Sequence, residues 1–100
     1  CGLYVPGLDP RRIADLSLAA CGMDFRKNGA TASVGAGVAC LGNPLNAAYW
    51  LAKTMAEVGQ PLRAGDVVMS GALGPMLPVS AGDRIDVDIG GLGRVSCLLV

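Results

Sequence analysis

The feature that most constrains this chain is one clearly marked helix, which begins at Asn43-Pro44 and ends at Gly59. Asparagine can cap the free N–H groups of a first helical turn, and proline at the first helical position loses no hydrogen bond. Gly59, followed by Pro61, is typical of a helix end. Apolar residues between these signals recur at spacings of three and four, which predicts a stripe facing a core. The stripe comprises Leu45, Ala48, Leu51, Ala52, Met55 and Val58.

The composition favours a β-rich fold with an excess of apolar surface. Apolar residues make up 52% of the chain and charged residues 16%, compared with about a quarter charged in an average soluble domain. This excess predicts contacts outside the segment, with the rest of the same polypeptide or with neighbouring subunits. Net charge is zero and the basic residues are scattered, so nucleic acid is not an expected partner. The longest charge-free runs are broken by Gly, Pro, Asn and Ser, so no bilayer span and no membrane partner are expected. The absence of an initiator methionine indicates a sequence that begins within a longer protein.

Turn signals divide the rest of the chain into strands. Asn28-Gly29 predicts a tight hairpin turn between residues 16–26 and 30–34. Two similar joints, Ala64-Gly65-Asp66 and Ala81-Gly82-Asp83, predict strands at 67–69 and 85–89. Gly90–Gly93 then reverses the chain into a last strand at 95–100. A hairpin, a helix and three or more strands are typical of an α+β fold.

The glycine-rich Gly35-Ala36-Gly37 segment is interpreted as a bend in or after a strand. It lacks the third glycine of a dinucleotide-binding motif, because Cys40 stands at that position, and no helix is predicted to begin there.

Few residues offer catalytic chemistry. The chain has no histidine, which removes the commonest general base. Asp86 and Asp88 lie on one strand face about 7 Å apart and could hold a divalent ion, although wet surface carboxylates are the favoured interpretation. Glu57 is expected to pair with Lys53 on the helix. The cysteines are interpreted as small buried hydrophobes in a reducing cytoplasm rather than a zinc site; they are Cys1, Cys21, Cys40 and Cys97.

The segment 70–78 is a charge-free loop with two glycines and two prolines. Such a loop presents backbone N–H groups in a fixed shape and can border a ligand. A loop that caps an apolar core is an equally favoured alternative.

Several blocks of this sequence, in order, resemble the carboxy-terminal part of 2-keto-4-pentenoate hydratases of the fumarylacetoacetase-like superfamily. They are Leu41-Gly42-Asn43-Pro44-Leu45-Asn46-Ala47-Ala48, Trp50-Leu51-Ala52, Gly59-Gln60-Pro61-Leu62-Arg63-Ala64-Gly65-Asp66 and Ser70-Gly71-Ala72-Leu73-Gly74-Pro75-Met76. The resemblance implies that residues 1–100 form the carboxy-terminal segment of a hydratase domain with a mixed β-sandwich roll, mostly β with one main helix at about 43–58.

The resemblance implies addition of water to 2-hydroxypenta-2,4-dienoate in the degradation of aromatic rings. A Mg²⁺ or Mn²⁺ ion held by glutamates upstream of this segment would act as a Lewis acid. No catalytic or metal-binding residue transfers to a numbered position here. The pocket wall does transfer, and it comprises Ser70, Gly71, Ala72 and Leu73. A cytoplasmic homo-oligomer is also implied.

Two departures from the family pattern bear on the reaction. Hydrolytic relatives have threonine where Ala72 stands, which argues against a hydrolase. Many hydratases have histidine at the position of Asn43, so any polar role of that histidine is in doubt here. A 4-oxalocrotonate decarboxylase and a non-catalytic oligomerising remnant are the alternatives.

Overall fold

The computed structural model describes residues 3–100 and confirms an α+β arrangement. Cys1 and the interpretation given to it lie outside the described residues. The main elements are β1 (Gly22–Lys27), β2 (Ala30–Ala36), α1 (Pro44–Glu57), β3 (Arg84–Ile89) and β4 (Gly93–Leu98). Three short 3-10 turns occupy Ile13–Asp15, Leu18–Ala20 and Gly37–Ala39.

The four strands form one antiparallel sheet in the order β2-β1-β3-β4. The predicted hairpin turn is confirmed, with Asn28 at φ 53° and Gly29 at φ 85°, as a tight primed turn requires. The first strand begins at Gly22 and not at Leu16. Residues 17–21 instead form local bonds, from the N–H of Ala20 to the carbonyl of Ser17 and from Cys21 to Leu18, so this stretch turns before it can pair.

The segment Gly35-Ala36-Gly37 forms the end of β2 and the start of a 3-10 turn, so the predicted bend is confirmed. Gly37 is buried there. A Cβ atom on Gly37 would meet the carbonyl oxygen of Leu18 at 1.6 Å. Glycine is therefore required at this position by the close approach of another backbone segment.

The predicted helix is confirmed at both ends. The Asn43 side chain accepts a hydrogen bond from the N–H of Leu45 at 2.9 Å, and Pro44 occupies the first helical turn. Gly59 follows the helix with φ 79°. The predicted stripe is only partly covered, because its middle residues are half-buried while Val58 is 63% exposed. Trp50, beside the stripe, is 62% exposed.

The strand predicted at 67–69 is absent. Residues 67–79 follow an irregular path, and none of them makes a backbone–backbone hydrogen bond within the described part of the chain. A strand needs a partner for its backbone groups, and residues 3–100 provide none there. Two strands, rather than three or more, therefore follow the helix in the described residues.

Strand β3 alternates as predicted. Ile85 is buried at 7% exposure, and Val87 and Ile89 share its face of the sheet. Residues 5–11 cross above this face and leave an apolar cavity of about 520 Å³. Few side chains in residues 3–100 are buried, and they are Cys21, Ser33, Cys40 and Ile85.

Asp83 fastens the hairpin turn to the start of β3. Its carboxylate accepts hydrogen bonds from the Asn28 amide at 2.9 Å and from the Ser80 N–H at 2.8 Å, and it pairs with Lys27 at 3.2 Å. These contacts, with Asn28 first, lower the pKa of Asp83 from its ordinary value of 3.8. The charged form is therefore favoured in the folded state, and its contribution to stability is lost as the pH falls through the lowered pKa.

We expect Asp83→Asn to lower the midpoint of thermal unfolding at pH 7 by about 5 °C. The difference should shrink at pH 2, because a larger fraction of the wild-type Asp83 side chain is protonated there than at pH 7. Asp66→Asn is the matched control, because within residues 3–100 the Asp66 carboxylate accepts a hydrogen bond only from the nearby Arg63 N–H, in the analogous turn. Calorimetric scans at both pH values measure the effect. Equal losses in both variants at pH 7 would contradict the role given to Asp83.

Candidate functional site

The loop formed by residues 67–79 is anchored through three of its carbonyl groups to side chains of β1, of β2 and of the turn that follows β2. The Cys40 thiol donates to the Ser70 carbonyl at 3.0 Å, and the Ser33 hydroxyl donates to the Pro75 carbonyl at 3.0 Å. The Lys27 ammonium donates to the Pro78 carbonyl at 3.2 Å. Side chains from one part of the chain thus fix the path of a loop about 30 to 50 residues away.

Two glycines allow this loop to lie directly on β2. A Cβ atom on Gly35 would stand 2.1 Å from the carbonyl oxygen of Leu73. A Cβ atom on Gly74 would stand 2.5 Å from the carbonyl oxygen of Val34. Real Cβ atoms do not approach backbone atoms so closely, so a side chain at either position would force the loop away from the strand.

The four residues predicted to form a pocket wall lie together at the start of this anchored stretch. Ser70 and Leu73 are half-buried, while Gly71 and Ala72 are exposed. Gly71 has φ 101°, which favours glycine. The backbone N–H groups of residues 70–74 have no hydrogen-bond acceptor within residues 3–100. Within residues 3–100 the stretch is therefore held through the carbonyls of Ser70 and Pro75, and the N–H donors between them are unpaired.

A shallow apolar groove of about 300 Å³ adjoins Ser70 and Gly71. Helix α1 provides one side through Trp50 and Leu51, and Val68 and Met69 line the other side. The structure thus brings two of the four predicted wall residues, Ser70 and Gly71, next to α1.

Asp86 and Asp88 point to the same face of the sheet but are engaged by arginines. Asp86 pairs with Arg84 at 3.1 Å and accepts a short hydrogen bond from the Ser96 hydroxyl. Asp88 pairs with Arg94 at 3.0 Å. The hydrogen bond from Arg84, followed by that from Ser96, lowers the pKa of Asp86. These pairs agree with the interpretation of wet surface carboxylates.

A further pair on this face was not anticipated from the sequence. Asp24 and Arg26 of β1 meet at 2.7 Å, and Asp24 lies opposite Asp88 in the sheet register. The described residues contain no group of three or more His, Cys, Asp or Glu side chains that could hold a metal ion.

The cysteines and the Lys53–Glu57 pair are the other residues that the sequence singled out for their chemistry. Cys21 and Cys40 are buried free thiols, and Cys97 is a half-buried free thiol. The ion pair predicted between Lys53 and Glu57 is not formed, since no oxygen of Glu57 lies within 4 Å of the Lys53 nitrogen. Both side chains are exposed on the helix, where the gain from such a pair is small.

Comparison with known proteins assigns nearly the whole chain to one family. Residues 6–100 match the family model described as fumarylacetoacetate (FAA) hydrolase C-terminal. The chain belongs to the fumarylacetoacetate hydrolase family. Within this family, it is 55% identical over 97 residues to 2-keto-4-pentenoate hydratase 1 of Dechloromonas aromatica (strain RCB), covering 97% of this chain and 37% of the relative. It is 45% identical over 96 residues to 2-hydroxyhexa-2,4-dienoate hydratase of Comamonas testosteroni, covering 96% of this chain and 36% of the relative.

Solved structures of the family agree with the fold. The chain superimposes with a TM-score of 0.83 on 4-oxalocrotonate decarboxylase from Pseudomonas putida G7, complexed with calcium and acetate in one structure and with magnesium and adipate in another. The identity is 38%, and the match covers 88% of this chain and 34% of the decarboxylase. The chain thus spans about a third of the length of the family members it matches.

The loop anchors were not found from the sequence. Ser33 lies within the predicted hairpin and Cys40 lies three residues after the predicted bend, but their partners are 42 and 30 residues away. The one signal in the sequence was the small size of residues 33 and 35 in β2 and of residue 37 just after it, which is typical of a close approach by another segment. None of the helices in residues 3–100 is long and apolar enough to cross a membrane.

Proposed function

We propose that this chain is the carboxy-terminal part of a hydratase that adds water to 2-hydroxypenta-2,4-dienoate, or a close homologue, to give 4-hydroxy-2-oxopentanoate. The observation that carries this proposal is the 55% identity, over 97% of the chain, with a relative named 2-keto-4-pentenoate hydratase 1. The longer polypeptide is called the parent polypeptide below. Its remaining part would cover the exposed apolar surface, including the groove beside Trp50.

Within this proposal, Ser70, Gly71, Ala72 and Leu73 form the substrate wall. Free N–H groups on this stretch would donate hydrogen bonds to oxygen atoms of the substrate, and their position is fixed by the loop anchors. The small, exposed side chain of Ala72 leaves room beside these donors. A wall of this kind orients the substrate while the acidic chemistry comes from elsewhere in the parent polypeptide.

The described residues do not fit a divalent metal site. The candidate aspartates already accept hydrogen bonds from arginine and serine side chains, and a hard cation needs several free oxygen ligands. We therefore place the ligands of a Mg²⁺ or Mn²⁺ ion outside residues 3–100. Support for a divalent ion comes from the calcium and magnesium complexes of the related decarboxylase.

Decarboxylation of 4-oxalocrotonate is the second candidate function, because a decarboxylase superimposes on the chain with a TM-score of 0.83. Its identity of 38% is lower than the 55% of the hydratase relative. A cytoplasmic location and assembly into a homo-oligomer complete the proposal. The exposed Tyr49 and Trp50 on α1 support a contact with another subunit or with the rest of the parent polypeptide.

The test uses the purified parent polypeptide with Mg²⁺ and freshly generated dienol. The hydratase assignment predicts loss of the dienol's ultraviolet absorbance and formation of 4-hydroxy-2-oxopentanoate without release of CO₂. Release of CO₂ from 4-oxalocrotonate, with no hydration of the dienol, would favour the decarboxylase. Turnover of neither compound would leave a non-catalytic oligomerising remnant as the better account.

A further inference from the structure

Two of the few buried side chains in residues 3–100 point at the two ends of the substrate wall. Ser33 and Cys40 are each 7% exposed. The Cys40 thiol donates to the carbonyl of Ser70, at the first residue of the wall. The Ser33 hydroxyl donates to the carbonyl of Pro75, two residues beyond Leu73.

No other hydrogen bond within residues 3–100 holds the stretch 70–75. Its backbone makes no backbone–backbone hydrogen bond there, and the third anchor of the loop, Lys27, bonds farther along at Pro78. The close contact of Gly35 with Leu73 restrains distance but supplies no directional bond. The orientation of the free N–H groups at 71–73 therefore depends on the bonds made at Ser70 and Pro75.

We propose that Ser33 and Cys40 are positioning residues that clamp the substrate wall from both ends. The expected effect on the KM rests on the proposed function. The expected effect on the rigidity of the wall rests on the geometry alone. Neither side chain is assigned contact with the substrate, because each is buried beneath the loop and its hydrogen bond is directed to a loop carbonyl.

The kinetic test compares Ser33→Ala and Cys40→Ala in the parent polypeptide. Loss of one anchoring bond should raise the KM for the dienol about five- to tenfold while kcat changes less, because the wall acts in binding. Cys40→Ser keeps a donor at the same position and should restore the KM to within about twofold of the wild type.

Two matched controls separate positioning from a general loss of stability. Ser96→Ala removes a hydroxyl that donates to Asp86 on the polar face of the sheet. Cys21→Ala removes a buried thiol that donates to the Ser17 carbonyl at 3.4 Å. Neither side chain bonds to the 67–79 loop, so both controls should leave the KM within about twofold of the wild type. Equal KM changes in the controls and the clamp variants would overturn the proposal.

A measurement independent of turnover keeps the two proposals distinguishable. Methyl relaxation of a labelled Leu73 reports the rigidity of the wall, and its order parameter should fall in Ser33→Ala and Cys40→Ala but not in the controls. This result would support the clamp even if the parent polypeptide hydrated no dienol. An unchanged Leu73 order parameter in both clamp variants would overturn the clamp even if hydration were confirmed.

Discussion

Gly35→Ala is expected to lower the free energy of unfolding by about 2–3 kcal/mol and to reduce the kcat/KM of the parent polypeptide for the dienol about 100-fold. The new methyl group would stand 2.1 Å from the carbonyl oxygen of Leu73 and 2.5 Å from its carbonyl carbon. Both are backbone atoms, so no side-chain rotation relieves the clash. The loop must move off β2, and the wall residue Leu73 moves with it.

Gly22→Ala is the matched control for this prediction. Gly22 also lies in a strand of the same sheet, and an added Cβ atom there would meet nothing within 4 Å. Its free energy of unfolding should change by no more than about 1 kcal/mol, with turnover preserved. Chemical denaturation and dienol kinetics of both variants provide the measurements. A Gly35→Ala variant as stable and active as Gly22→Ala would show that the loop does not press on β2.

Ala72→Phe is expected to reduce kcat/KM for the dienol about 100-fold without a comparable loss of stability. Ala72 is exposed in residues 3–100 and lies between the free N–H groups of the proposed wall. A benzyl side chain there would occupy the space assigned to the substrate. Because the position is not packed against the described part of the fold, the added volume should cost little in folding.

The control for this substitution is Ala81→Phe, at an exposed alanine in the turn before β3. It adds the same side chain to a turn that does not belong to the 67–79 loop. Its kcat/KM should stay within about threefold of the wild type. Steady-state kinetics measure the kcat/KM of both variants, and their midpoints of thermal unfolding are measured in parallel. If both variants retained full activity, Ala72 would not border the substrate.

Features set by local chemistry could be predicted from the sequence. The helix begins where Asn43 caps it and Pro44 opens it, and its end is marked by Gly59. The turn at Asn28-Gly29 was equally predictable, because its dihedral angles are ones that few other residue pairs adopt. In each case the signals lie within a few residues of the structure that they determine.

Features that depend on a distant partner could not be predicted. The pattern at Val67–Met69 resembles a strand, yet nothing in residues 3–100 pairs with it. The donors Ser33 and Cys40 meet the loop only after the chain has folded back on itself. Likewise, the alternation of Asp86 and Asp88 predicted a polar face, but the pairing of Asp88 with Arg94 requires the register of β3 and β4. That register is set by the turn at residues 90–92 together with the buried face of the sheet, and not by the spacing of the two aspartates.

In the proposed function, this segment supplies a substrate wall while the metal ion is held elsewhere in the parent polypeptide. The most direct test of this division is a titration with Mn²⁺, followed by electron paramagnetic resonance. It compares the wild-type parent polypeptide with its Asp86→Asn/Asp88→Asn variant. Because both carboxylates are paired with arginines, we predict that the Kd for Mn²⁺ changes by less than about twofold. A rise of about tenfold or more, equivalent to the loss of a ligand, would contradict the claim.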